Sequence, residues 1–598
     1  MSKLQRVRFL LINANPYIED AVMPYGLEIL RANLQAQNLE VRIAHPFLVS
    51  DRPHQVTEQI VKDFRPNIVG ISIRNLDDLV IIGDRDRRPN QTRIDINFYL
   101  PRIKGVVEAV KRSVTKGTRL ILGGSGFTAC PEPCMQYLDV DLGVIGPGEL
   151  VLPKIANGDY YPSGVIYRKG DRFIRIPPKF SFEHVRVNKI AREAGFEYPF
   201  TFQASEVNYP IRTKVGCSLR CSYCVEHLNL PSVWLRNPRD VIEELGGIIS
   251  ERDNVSIGFV DSEFNLPQEG HASAILEALI DSRIYKRIKW TAYFSVVPFS
   301  ARFAKKIASS NCKGVSITVD HCNDRILAGI GKDYKREDIE RTFKLTSRYR
   351  LRKVWGIIFG LPGEDWKSIK EGVQFVRRYL GQEDAFQYQV GARVYPGTPL
   401  ARYVRQNKYR NLYGSRDKSF LHPVVYCQPC PPWELNAYLR GEFKDLPNVS
   451  LFNTSEDFPS LRDPRLVRLK RYRSRGLYFY SCGDPSRAAN WYQKALKIGK
   501  DRSYISGILN EASEVYKNLS DYPRAIGCLK RMIRIQKDLR PLDKTTLADI
   551  YNNLATLYAA KEDYREAINS LRSALRLNPS LTIARENLQE LKKAYQIR

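Results

Sequence analysis

Three thiols fall on one short stretch, Cys217-Ser-Leu-Arg-Cys221-Ser-Tyr-Cys224. This spacing puts the sulfurs on a single loop, close enough to ligate three corners of a cubane iron–sulfur cluster. One iron is then left without a protein sulfur, and an open iron takes an exchangeable ligand. A zinc knot is the alternative chemistry. Zinc wants a fourth ligand, for which His227 is at hand, but it prefers paired Cys-x-x-Cys. Cys427 with Cys430 and Cys130 with Cys134 form two further pairs that lack obvious partners and read as structural.

Downstream of the thiols, each strand-like run ends in a polar or glycine-rich phrase. These are Val260-Asp-Ser-Glu-Phe-Asn-Leu-Pro267, Ser316-Ile-Thr-Val-Asp320, Gly360-Leu-Pro-Gly-Glu364 and Arg393-Val-Tyr-Pro-Gly-Thr398. Cysteine motif and phrases together resemble the radical S-adenosylmethionine (SAM) superfamily. The resemblance implies a [4Fe-4S] cluster whose open iron takes the amino and carboxylate groups of SAM. It also implies an electron passed to the sulfonium, giving methionine and a 5'-deoxyadenosyl radical. Tyr223 would stack beside the adenine. Asp261, Glu263, Thr318, Asp320 and Arg393 stand where a zwitterionic methionine, a ribose and an adenine need partners, with Glu263 as the catalytic candidate, touching SAM's amino group or the open iron. The bland reading of such carboxylates is a helix cap or a salt bridge. No Ser-His or Cys-His nucleophile stands out, which suits a site whose cofactor carries the hard chemistry.

Positioning these groups requires a sheet. Runs near Ile211, at 256–260, 289–294, 314–319, 354–359 and 388–394 alternate with helical stretches, so six parallel strands are expected in a partial (β/α)6 barrel. Ahead of it, runs at 7–13, 41–44, 68–73, 119–122 and 142–145 follow the same grammar and predict a Rossmann-like α/β domain with ligands at its strand ends. Over residues 6–155 this part resembles the cobalamin-binding domain of cobalamin-dependent radical SAM enzymes of the class B methyltransferase type. The resemblance rests on Met23-Pro-Tyr-Gly-Leu27, Gly70-Ile-Ser-Ile-Arg-Asn75, Gly123-Gly-Ser-Gly126 and Gly146-Pro-Gly-Glu149. It implies cobalamin held by Tyr25, Arg74, Gly123, Gly124, Ser125 and Glu149, the glycines letting backbone approach the corrinoid. The Asp-x-His-x-x-Gly signature is absent, so no histidine from it reaches the cobalt, and Arg74 would lie beneath the metal.

The last part repeats. Tyr551, Leu554, Ala555, Tyr558, Ala567, Leu571, Ala574 and Pro579 fall at tetratricopeptide offsets, and Ala488 and Ala525 are equivalent to Ala567, with a capping helix from Ile583 to Tyr595. The expected boundaries are 1–165 for the cobalamin-binding-like domain, 166–205 for a linker, 206–420 for the barrel, 421–465 for a connector and 466–598 for the all-α array.

The net charge is +28, and residues 461–598 hold 28 Lys and Arg against 14 Asp and Glu. The array is therefore expected to hold a protein partner, acidic peptides suiting its charge, with nucleic acid as the weaker reading. No signal peptide and no run of about 18 apolar residues is evident, so a cytoplasmic protein is expected. Eleven cysteines at irregular spacing argue for reduced thiols plus a metal site. The function this implies is C-methylation of an unactivated carbon in a small molecule or peptide, with SAM as both methyl donor and radical source and a flavodoxin or ferredoxin as electron donor. RNA modification by a radical SAM enzyme, cobalamin-dependent oxidation or rearrangement, and a chain whose working part is the array alone are the other readings.

Overall fold

The computed structural model describes residues 7–17, 23–82, 94–179, 209–230, 232–250, 254–452, 464–498, 502–538 and 543–594. They fall into two compact units, one holding two seven-stranded sheets and the other formed by the C-terminal helices.

The first sheet comprises β1 (Arg8–Asn13), β2 (Glu40–Ala44), β3 (Ile68–Ser72), β4 (Arg119–Gly123), β5 (Leu142–Val144), β6 (Val165–Lys169) and β7 (Arg172–Arg175), in the order 2-1-3-4-5-6-7. β1 to β5 are parallel and covered by helices, and the direction change at β1 and β3 makes a switch point whose strand ends carry Asn13, Arg74 and Gly124. The hairpin of β6 and β7 then extends the sheet antiparallel, with Ile166 opposite Gly143. The linker expected from residue 166 is corrected here: its first ten residues are sheet, because Val165 and Ile166 are fully buried. Residues 180–205 lie outside the described residues.

The second sheet continues the chain through β8 (Tyr209–Ile211), β9 (Lys214–Val215), β10 (Trp234–Leu235), β11 (Val255–Phe259), β12 (Ile288–Ser295), β13 (Cys312–Asp320), β14 (Lys353–Phe359), β15 (Ala385–Val390), β16 (Ala392–Arg393), β17 (Leu412–Gly414), β18 (Val424–Tyr426) and β19 (Val449–Leu451). Its order is 19-15-14-13-12-11-8, parallel throughout, while β9 pairs with β10 and β16 with β18 and β17 in small antiparallel ladders. Alternation along β13 buries Val315, Ile317 and Val319 on the helix side and leaves Gly314, Ser316 and Thr318 on the inner face. The six expected strands are present, and β19 is a seventh. The connector expected over 421–465 is also corrected. Residues 424–426, 432–443 and 449–451 are ordered elements, two of them strands of three residues, too short to show a period.

The second unit is three helical hairpins, Pro464–Ser481 with Pro485–Ile498, Arg502–Asn518 with Tyr522–Asp538, and Lys544–Ala560 with Tyr564–Leu577, followed by Thr582–Ala594. Ala488, Ala525 and Ala567 are fully buried where paired helices cross. Gly476 has no side chain because a Cβ there would come 2.9 Å from the buried Tyr492 ring. Tyr595 lies outside the described residues. Among the described residues no helix is long and apolar enough to cross a membrane.

Candidate active site

Residues 213–216 carry the chain from β8 to the first thiol, and Asp261, just past β11, fixes their path. Its carboxylate accepts from the Thr213 N–H (2.9 Å), the Lys214 N–H (3.0 Å) and the Thr213 hydroxyl (2.5 Å). Asp261, expected beside SAM, thus positions the cysteine loop. Gly216 turns with φ +89°, where a Cβ would lie 2.8 Å from the Ser232 carbonyl oxygen. The loop is then pinned on two more sides: Ser222 N–H donates to the Ile330 carbonyl, and Leu400 N–H donates to the Ser222 carbonyl, both at 2.8 Å.

Cys217, Cys221 and Cys224 pack in one cluster with Leu219, Leu266 and Tyr223. Burial raises all three thiol pKa values, that of Cys224 to about 12, so thiolates here need a bound metal to form. Among the described residues no three His, Cys, Asp or Glu side chains converge on one metal ion, the three thiols included. A cubane instead spreads three thiolates over three irons, and the donor set suits it.

Glu263 is buried beside the thiols. Its Oε1 accepts from the Thr318 hydroxyl at 2.5 Å, while its Oε2 is buried with no hydrogen-bond partner. Burial raises its pKa to about 7, against the lowering effects of Thr318 and Lys332. An orphaned carboxylate oxygen in a dry site fits a cationic donor such as the SAM ammonium. Asp320 ends β13 at an irregular register with φ +58°, and its Oδ2 accepts from the Tyr223 hydroxyl (2.5 Å) and from Lys332 Nζ (2.6 Å). The next residue, His321, accepts at Nδ1 from the Asn323 N–H (2.9 Å). Nε2 must then carry the ring proton, which it donates to Glu364 Oε1 at 2.9 Å. Glu364 of the Gly-Leu-Pro-Gly-Glu phrase thus holds the turn that aims Asp320.

Lys332 and Lys214 are the groups that sequence reasoning missed. Lys332 is buried against Asp320 and hydrogen-bonds Cys221; Lys214 Nζ donates to the Gly216 carbonyl at 3.1 Å. The one signal was Gly331, whose φ of +80° and 2.7 Å approach to the Arg220 carbonyl oxygen exclude a side chain.

At the first sheet, Gly124 and Gly126 are required by the backbone beside them. A Cβ on Gly124 would lie 2.5 Å from the Ile73 carbonyl oxygen and one on Gly126 3.0 Å from that of Arg74, so they admit neighbouring backbone. Gly123 meets nothing closer than 3.9 Å, and the Ser125 hydroxyl donates to the Arg74 carbonyl at 2.7 Å. Arg74 is solvent-exposed, yet desolvation lowers its pKa, as for a side chain lining a deep cleft. Three of the expected cofactor residues have protein partners far along the chain. The Tyr25 hydroxyl donates to Glu244 Oε1 (3.1 Å), Glu149 pairs with Arg212 (2.9 Å), and Arg393 Nε pairs with Asp77 (3.1 Å) while its other nitrogens serve the carbonyls of Val394 and Leu421.

Residues 211–376 match the Radical SAM superfamily, residues 17–156 the B12 binding domain and residues 548–581 the tetratricopeptide repeat. One chain thus carries both a radical SAM domain and a B12 binding domain. The radical SAM chain is 23% identical to tryptophan 2-C-methyltransferase of Streptomyces laurentii, over 70% of this chain and 78% of that protein. It is 24% identical to an uncharacterized methyltransferase of Pyrococcus horikoshii, over 70% and 86%. Its fold is shared with the radical SAM methyltransferase TsrM of Kitasatospora setae, solved with cobalamin and a [4Fe-4S] cluster bound (20% identity, TM-score 0.62, covering 82% of this chain and all of that one).

Proposed function

We propose that this radical SAM enzyme is a cobalamin-dependent C-methyltransferase that methylates an unactivated carbon of a small molecule or peptide. The observation that carries the reading is the unpartnered Oε2 of Glu263, buried beside three thiols that share one packed cluster. The names of its relatives support it: a tryptophan 2-C-methyltransferase, and TsrM solved with tryptophan and a SAM analogue.

When bound, the cluster supplies electrons, SAM a methyl group and a radical source, and cobalamin a methyl carrier. Cys217, Cys221 and Cys224 would hold the cluster, and Arg74 and Ser125, exposed at the first sheet's strand ends, would face the corrinoid. Glu263 would accept a hydrogen bond from the SAM ammonium, and Tyr223, fixed through Asp320, would flank the adenine. Lys332 and Lys214 keep positive charge beside the thiolates. The buried Arg393 and Asp77 pair and the Arg212 and Glu149 pair hold the first sheet's strand ends to the barrel, and so hold donor and acceptor in register.

Anaerobic purification with cluster reconstitution and added hydroxocobalamin should give iron–sulfur and corrinoid absorption. Alanine at any one of Cys217, Cys221 or Cys224 should remove the first and leave the helical signal and the second. Methyl-labelled SAM should then label a carbon acceptor, tryptophan being the first to try. Retention of the iron–sulfur band after all three replacements would sink the proposal.

A further inference from the structure

Residues 394–416 carry five basic side chains, Arg402, Arg405, Lys408, Arg410 and Arg416, all exposed, and no aspartate or glutamate. Among the described residues none of the five forms an ion pair; Arg402 donates to the Gly397 carbonyl and Arg405 lies over the Phe420 ring. The run starts on the helix Pro399–Gln406, whose Leu400 N–H is bonded to Ser222 within the cysteine loop. On that loop Ser218 and Arg220 reach the surface. Burial, with Arg220 and Arg402, lowers the pKa of His227, three residues beyond Cys224, so both arginines converge on the loop. Two aromatic rings, Tyr403 and Tyr409, each 36% exposed, lie within the same basic stretch.

A face of unpaired positive charge with exposed tyrosines has the make-up of a protein docking surface with electrostatic steering. RNA would answer to the charge equally well. Position decides between them: the basic helix is hydrogen-bonded to the loop bearing the thiols, where an electron has to enter. We propose that this face docks the one-electron donor of the cluster, a small acidic redox protein with a flavin or iron–sulfur centre. One electron passes from the donor's reduced centre to the cluster, the donor is oxidised by one electron, and no atom or proton is exchanged. The inference rests on the proposed function only in requiring a cluster at Cys217, Cys221 and Cys224.

The test uses the full reconstituted chain and the variant Arg402→Glu, Arg405→Glu, Lys408→Glu. Reduced flavodoxin is mixed with each anaerobically and cluster bleaching is followed at low and high salt, with dithionite as the small-molecule reductant. The variant should be reduced by flavodoxin about tenfold more slowly at low salt, converge with the parent protein at high salt, and bleach fully with dithionite. An unchanged flavodoxin rate with full dithionite bleaching overturns the docking surface alone. The same holds if the variant loses retention of an RNA hairpin while its flavodoxin rate stands. No dithionite bleaching in the parent protein overturns this inference together with the functional reading.

Discussion

Lys332 Nζ stands 2.6 Å from Asp320 Oδ2, the two side chains only 2% and 12% exposed. The same carboxylate oxygen takes the Tyr223 hydroxyl, and the same ammonium meets Cys221, so one buried ion pair joins the Tyr223 ring to the Cys221 thiol. Removing one partner of such a pair leaves a buried charge alone, at about 3–5 kcal/mol. Lys332→Met should therefore lower stability by that order, and adding Asp320→Asn should recover most of it, as read by denaturant melts. In the reconstituted protein, Lys332→Met should also move the cluster potential negative by about 60 mV or more, a tenfold change in a one-electron equilibrium. An unchanged potential in a redox titration followed by paramagnetic resonance would remove Lys332 from the electrostatics of the site.

Glu263 gives the site a pH signature. Its folded pKa of about 7 lies above the ordinary 4.5, so the native state holds a proton that the unfolded chain has already lost. Stability is then lost as pH rises from about 4.5 to 7, by up to about 3 kcal/mol. Glu263→Gln should melt higher than the parent at pH 8 when cofactors are absent, and the gap should close near pH 4.5. A gap that widens toward acid would reverse the sign and refute the assignment.

The Arg393 and Asp77 pair ties β16 to the segment after β3, with side chains 2% and 1% exposed. Arg393→Met should cost about 3–5 kcal/mol and speed amide exchange in residues 74–80 and 421–425. If exchange there stays at the parent rate, the pair does not hold the two segments together.

Gly124→Ala should destabilise the first sheet by about 2–3 kcal/mol, since φ is +97° and the new Cβ would meet the Ile73 carbonyl at 2.5 Å. Gly123→Ala, with open space by comparison, should be nearly silent. Equal losses would mean that the strained turn is not the cause.

Much of this arrangement is legible in the sequence, for physical reasons. Aliphatic runs such as 68–73 and 354–359 mark strands because a covered parallel sheet needs them, and the cysteine spacing marks its loop because ligation is local. Partner choice is not local. Tyr25, Glu149 and Arg393 are polar groups that can face a ligand or a neighbouring domain, and only the packing shows which protein groups each one meets. Lys332 reaches Cys221 across more than a hundred residues of chain, and β18 and β19, of three residues each, carry no period to read.

β19 adds its few backbone bonds to the outer margin of β15 after an excursion of nearly sixty residues, and Phe452 N–H completes the seam on Tyr388. A shortened chain stopping near residue 420 would leave β15 with a bare row of amides and carbonyls, the kind of margin that recruits other chains and precipitates. The smallest soluble catalytic fragment should therefore run through Phe452, past the point where the chemistry itself ends.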